Sequence, residues 1–399
     1  MTNRLQKLIQ TIKIFTLIML AMNISSINAQ DTTGNIFGKG ISIIALDSSF
    51  SMKFSARFQT LYEGTLNTES NHWNDKFLTR RARLKFDGFA YSPKLIYKIE
   101  LSMSNRDIGG VLPETNNTAN IILDAVLKYK FAKGWQIWFG QTKLPGNRER
   151  VISSQKLQFV DRSLVNGAFN LDRDLGFQLH HEGSLGNAVI KQALSLSKGD
   201  GRNTTVDNIG GYDFTARLEF LPFGEFIKDG DYFGSDLERE KSPKLSIGVV
   251  YDYNDGAGRQ RGQLGGFVSD TNGDQVTNDL STVFIDAILK YNGWSMATEY
   301  AHKSAKDDLS FDRKYGTGNG FVFQTGYLFL NNFEVAGRYT IINPDDPAFS
   351  GLQEVTEYTL GFSKYFSGHS LKIQSDLSYS EIADNDNEFR FRFQVELSF

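Results

Sequence analysis

The side chains with the most chemistry to offer in this chain are cations, and they fall into two groups. One lies between Gly140 and Asp174, in GQTKLPGNRERVISSQKLQFVDRSLVNGAFNLDRD, where Lys143, Arg148, Arg150, Lys156, Arg162 and Arg173 stand against Glu149, Asp161 and Asp172. The other is spread over four earlier segments as Lys53, Arg57, Arg81, Arg83, Lys85, Lys94, Lys98, Lys128 and Lys130, against Glu63, Asp87, Glu100 and Asp124. A guanidinium is a planar fork that donates two hydrogen bonds at once, so clustered arginines suit oxyanions. Other chemistry is thin. His180 and His181 are adjacent on a strand, point to opposite faces and cannot hold one metal together. Asp270, Asn272 and Asp274 have the alternate spacing of a calcium loop. Gln275 stands where such a loop needs glycine and Ser281 where it needs glutamate, which leaves calcium the weaker reading beside a solvated loop tip. With five His in no nucleophile motif, no catalytic role is expected, and with no Cys there is neither disulfide nor thiolate metal site.

The elements that must position these cations are strands. In SMKFSARFQTLYE, Met52, Phe54 and Phe58 share one face while Lys53, Arg57 and Gln59 share the other. FLTRRARLKFDG sets Leu78, Ala82, Leu84 and Phe86 opposite Arg81, Arg83, Lys85 and Asp87, and PKLIYKIELSM sets Leu95, Tyr97, Ile99 and Leu101 opposite Lys94, Lys98 and Glu100. About sixteen such segments run from Ser51 to Phe399. Links between them alternate between short ones (132–134, 184–187, 292, 330–332, 366–369) and long polar ones (64–76, 143–173, 254–279, 303–319, 343–353). That phase is expected of an all-β, transmembrane antiparallel β-barrel with short turns inside the cell envelope and long loops outside. The 143–173 segment does not alternate, and is expected to fold into the barrel lumen as a basic constriction. The 221–243 segment is long where a short turn belongs, so it is expected to be a periplasmic excursion.

The ends agree with export. Residues 1–29 have the build of a signal peptide: Arg4, Lys7 and Lys13, an apolar run from Ile14 to Met22, and a cleavage site at Ile27-Asn28-Ala29. Residues 30–50 then form an N-terminal periplasmic segment and 51–399 the barrel. Charged residues are 22% and aromatics 13% of the 399, and the net charge of −3 becomes more negative without the leader, which argues against a nucleic-acid partner. The last strand, EFRFRFQVELSF, files Phe389, Phe391, Phe393, Val395, Leu397 and Phe399 on one face. A C-terminal Phe399 is the feature barrel-assembly machinery reads, placing the chain in outer-membrane lipid of a Gram-negative bacterium. Rings of Arg and Lys in such a lumen are the expected lining of an anion or phosphate pore.

The run from Trp135 to Gly176, with GQTKLPGNRER, VISSQKLQFVDRS and NLDRDLGF, resembles the phosphate-selective porin O and P family, and the strand phasing extends the resemblance over the mature chain. The resemblance implies a sixteen-stranded homotrimeric barrel, a third extracellular loop folded into the lumen, and passive uptake of inorganic phosphate or similar small anions without a cofactor. By position, Lys143, Arg148, Arg150 and Arg162 lie in the matching loop, and Arg57, Arg81 and Arg83 on the matching wall. Two alternatives stay open. A general-diffusion or saccharide porin would favour lumen aromatics, of which Trp138 is one. A surface receptor or adhesin would carry its information in 254–279, a loop whose deletion would then leave conductance nearly intact.

Overall fold

The structure is a computed structural model that describes residues 6–14, 37–109, 112–311 and 313–399. Seventeen strands follow one another: β1 (Ile41–Ile44), β2 (Ser51–Asn67), β3 (Trp73–Ala90), β4 (Ser92–Ser102), β5 (Ile122–Ala132), β6 (Trp135–Lys143), β7 (Arg173–Leu185), β8 (Ala188–Ser197), β9 (Asp213–Leu221), β10 (Lys244–Ala257), β11 (Asn278–Tyr291), β12 (Trp294–Ala305), β13 (Gly318–Leu328), β14 (Phe333–Pro344), β15 (Val355–Ser367), β16 (Leu371–Ile382) and β17 (Glu388–Ser398). Each of β2 to β17 is antiparallel to its sequence neighbours, and β17 pairs with β2 from Glu388↔Asn67 to Ser398↔Arg57. The sheet therefore closes as a barrel of sixteen strands with no free edge. β1 takes over β17's lane past the C-terminus: it pairs with Ser51 to Phe54 just beyond the point where Phe399 exchanges hydrogen bonds of 2.9 and 3.0 Å with Ala56. Four residues are too few to show a period, so the alternation does not announce this strand.

The short turns are built for close reversal. Asn292 and Gly293 take φ of 49° and 91°, the left-handed pair that matches hairpin twist. Burial is inverted relative to a water-soluble protein. Outward-facing Leu127, Phe139, Phe177, Leu194 and Phe214 are each about half exposed, whereas inward-facing Gln59, Asp124, Asp286, Lys290 and Glu396 are at most 1% exposed. An apolar outer band around a polar interior is stable only with hydrocarbon outside. Helix 6–14 lies against that outer band, with Leu8 packed on Tyr62, Leu66, Phe391 and Phe393. The cleavage site at 27–29 lies outside the described residues.

One facing differs from the sequence reading. β2 and β3 shift register between Gln59 and Thr60, which leaves Arg80 as an extra residue between Arg81 (opposite Gln59) and Thr79 (opposite Thr60). The bulge reverses the phase of β3 beyond it. Leu78 consequently stands opposite inward-facing Leu61 and is not lipid-facing, while Phe77 packs outward on Tyr62 at 4.7 Å. Two consecutive arginines, Arg80 and Arg81, thereby both reach the lumen.

Candidate functional site

Residues 144–172 cross the lumen, for two physical reasons. The first is apolar. Helix Leu164–Phe169 carries Val165, Ala168 and Phe169 into a cluster with Leu144, Leu171 and the inward side chains Val250, Phe284, Ala301, Val322, Ile342 and Val355. Gly320 leaves room for it, since a Cβ there would stand 2.9 Å from the Phe169 ring. Burying a side chain the size of Phe169 contributes about 2 kcal/mol. The second reason is that the loop's polar groups are spoken for by the walls. Arg57 donates to Ser154 at 2.7 Å, Asn147 to Glu299 at 2.8 Å, Gln158 to Glu334 at 2.8 Å and Gln155 to Ser398 at 2.7 Å. Arg80 and Arg81 hold Asp161 at 2.6 and 2.9 Å. Burial alone would raise the Asp161 pKa, but Arg81 and Arg80 hold it well below the usual carboxylate range.

The cations singled out by sequence mostly have acid partners. Arg57 pairs with Glu396 at 3.3 Å, Lys85 with Asp87 at 2.8 Å, Arg83 with Glu100 at 3.2 Å and Asp107 at 2.7 Å, and Lys98 with Asp124 at 2.5 Å. Arg148, wholly buried, meets Glu219 at 2.8 Å and Asp286 at 2.9 Å, and Arg150 pairs with Asp172. Lys53 lies near the periplasmic end, opposite Ser42 of β1 and Asp87 of β3. Such pairing leaves little of an open ladder, and Arg57, Arg81 and Arg148 join the loop to the wall. Arg162 is different. Its guanidinium donates to the carbonyls of Glu149 (2.5 Å) and Ile152 (2.7 Å), and burial, then Arg150 and Arg81, push its pKa well down. Guanidinium keeps its proton, so Arg162 remains a buried cation held by those two carbonyls.

Between this loop and the wall of β4 to β9 runs a cavity of about 620 Å³, reaching from Gly134 and Glu182 at the short-turn end up to Arg83 and Val151. Its lining contains Lys98, Lys128, Lys143, Lys156, Arg173, Lys191 and Arg217. Lys98 and Arg173 share Asp124, Lys191 is held by Asp231 at 2.9 Å and Arg217 by Asp286 at 2.8 Å. Lys128, Lys143 and Lys156 have no carboxylate within 4.0 Å among the described residues. Lys128 caps the Trp138 ring at 3.4 Å, and His180 stacks on the same indole at 3.9 Å. Lys143 donates to the carbonyls of Arg150, Val151 and Ile152, closing the end of helix Arg148–Val151. Lys156 sits 3.6 Å above the Phe233 ring. Glu182 and Asp229, also in the lining, lie toward the periplasmic end.

The residues that sequence reasoning passed over are Arg80, Lys191 and Tyr232, a lining residue whose hydroxyl donates to Glu219. The Arg80-Arg81 doublet and the unusual length of 221–243 were the available signals; which acid meets which arginine depends on cross-barrel geometry. Asp270, Asn272 and Asp274 form an exposed turn in which the Asp270 carboxylate accepts the backbone N–H groups of Asn272 and Asp274, each at 2.9 Å. Among the described residues no group of three or more His, Asp or Glu could hold a metal ion. Loop 254–279 does not simply project outward. Arg261 donates to Gly167 O in the constriction loop and Lys303 to Arg261 O at 3.1 Å. Excising 258–277 is therefore expected to change single-channel conductance measurably, as a planar-bilayer recording would show, because it releases one support of helix Leu164–Phe169.

A closed sixteen-stranded barrel with an apolar girdle, a polar lumen and a loop folded across it is an outer-membrane porin. The chain belongs to the phosphate-selective porin O and P family, which it matches over residues 52–390. An uncharacterised protein of Aquifex aeolicus (strain VF5) is 24% identical over 386 residues, covering 87% of each chain. Among solved structures, the outer membrane channel DcaP of Acinetobacter baumannii superposes with a TM-score of 0.56 at 14% identity, covering 90% of this chain and 99% of that one. An anion-selective porin from Comamonas acidovorans does so at 0.55 and 10%, covering 88% and 100%. OmpT of Vibrio cholerae, in a trimer form, reaches 0.51 at 10%, also covering 88% and 100%. These likenesses are of fold.

Proposed function

We propose that this porin passes small anions, inorganic phosphate among them, by diffusion along the lane between the constriction loop and β4 to β9. One observation carries the reading. Within that lane Lys128, Lys143 and Lys156 have no carboxylate partner within 4.0 Å among the described residues, whereas the other lining cations are paired. Uncompensated charge in a narrow, poorly screened passage concentrates counter-ions, and several weak sites in series let an anion leave as well as arrive. Two aromatic rings line the lane among the described residues, Trp138 under the Lys128 ammonium and Tyr232 facing Lys191 at 5.0 Å, so both are already covered by cations and the saccharide alternative gains less support. Assembly as a homotrimer, leader removal after residue 29, and reading of Phe399 by the assembly machinery complete the proposal, the first by likeness to the trimer form of OmpT.

The test is the reversal potential of the purified protein in a planar bilayer under a potassium chloride gradient, with phosphate then added. Anion preference with phosphate block of the chloride current is expected; cation preference sinks the reading, and anion preference without block removes phosphate alone. Burial pushes the Lys156 ammonium down to about 8. Its charge is lost as pH rises through that value, so anion preference should weaken between pH 7 and 9.

A further inference from the structure

The segment 221–243 occupies a periplasmic turn slot, but it runs across the barrel mouth and up into the lumen. Phe226 anchors it against Val189, Leu221 and Ile288. Ser235 then bonds Glu334 of β14 and Tyr365 of β15, each at 2.6 Å, while Lys290 of β11 donates to Ser235 O at 2.7 Å. Arg239 reaches Leu328 O at 2.8 Å. The segment also meets the constriction loop from below: Gly234 N–H donates to Lys156 O at 2.8 Å, and Arg148 donates to Asp231 O at 3.3 Å.

At the centre of this strap is Phe233. Lys156 stands 3.6 Å from its ring centroid, Lys290 6.0 Å, and the His369 ring 5.5 Å. Neither lysine has a carboxylate within 4.0 Å among the described residues, and Asp236, Glu334, Asp231 and Glu240 offset Lys290 from farther off, as Asp229 and Asp231 do Lys156. Cations around an aromatic face are attracted to it, and charged groups of both signs around that face would be open to water and ions once the ring is withdrawn. We infer that 221–243 is an inner plug, with Phe233 filling a second, polar lane beneath the loop that crosses the lumen and confining conduction to the lane along β4 to β9. The inference rests on the porin reading.

Two variants test it by single-channel conductance: Phe233→Ala, and a chain in which 224–242 is replaced by Asn-Gly. Folding of each is checked by heat-modifiable migration. A second lane in parallel adds its current to the first, and one as wide as the first would double it, so a folded Phe233→Ala barrel is expected to conduct measurably more than wild type, up to about twofold. Phe233→Leu, which keeps most of the volume, should stay near wild type. Should Phe233→Ala not fold, the shortened chain is read in its place. Wild-type or lower conductance in whichever variant folds, or in both, overturns the plug. Failure of both variants to give a folded barrel also overturns it, since a plug is dispensable to the wall. The wild-type reversal potential separates the two readings: cation preference there sinks the anion proposal and leaves the plug standing, whereas unchanged variant conductance sinks the plug alone.

Discussion

Replacing Lys128 and Lys156 together by glutamate is expected to turn the porin from anion to cation preference, read as a change of sign of the reversal potential in a potassium chloride gradient. Both ammoniums line the open lane, and neither has a carboxylate partner among the described residues. The double change shifts the lane's charge by four units, and joins two new carboxylates to Glu182 and Asp229, which are already in the lining. A unit charge about 4 Å from a passing ion is worth about 1 kcal/mol in bulk water and about 4 kcal/mol at the effective dielectric of a partly buried site. Either figure is enough to invert a modest preference. Lys143 is left alone because its ammonium closes the carbonyl end of helix Arg148–Val151, where a carboxylate would unseat the loop and confuse the readout. The neutral pair Lys128→Gln and Lys156→Gln should fall between the two. If the glutamate pair remains anion-selective, the conducting lane lies elsewhere in the barrel.

How much of this was legible in the sequence follows from the range over which each feature is determined. Strand alternation is set by neighbours two residues apart, so the sixteen strands, the lipid-facing file ending at Phe399 and the short and long connections could be read directly. That 144–172 leaves the barrel wall could be read because it breaks that alternation and carries apolar residues such as Val165 and Phe169 among its cations. The bulge at Arg80 could not, since β3 alone does not show that Gln59 and Thr60 will oppose residues 81 and 79. Charge balance was the least legible. Asp161, Glu396 and Asp286 neutralise Arg81, Arg57 and Arg148 across 80, 339 and 138 residues of sequence. A count of cations along four strands overstated the open positive charge, because pairing is a property of the closed barrel.

The residue on which the seating of the loop most depends is Arg148, and Arg148→Ala is expected to loosen the loop more than any other single change in it. Its guanidinium is buried and meets four partners at once: Asp286 at 2.9 Å, Glu219 at 2.8 Å, Ser246 at 2.9 Å and the carbonyl of Asp231 at 3.3 Å. Those contacts join the loop to β9, β10, β11 and the inner strap. Removing one member of a buried ionic network leaves its partners undercompensated, at a cost of about 3 kcal/mol. Arg217 remains on both acids at 2.7 and 2.8 Å, which limits the loss and should keep the barrel itself folded. The measurable result is therefore local. Trypsin should cut the variant within 144–172 under conditions where the wild type resists, and its single-channel current should become noisy. Arg148→Lys keeps the charge but cannot span four partners with a fork, so it should restore only part of the protection. Equal resistance to trypsin in the alanine variant would mean that the apolar seat of Val165 and Phe169 holds the loop unaided.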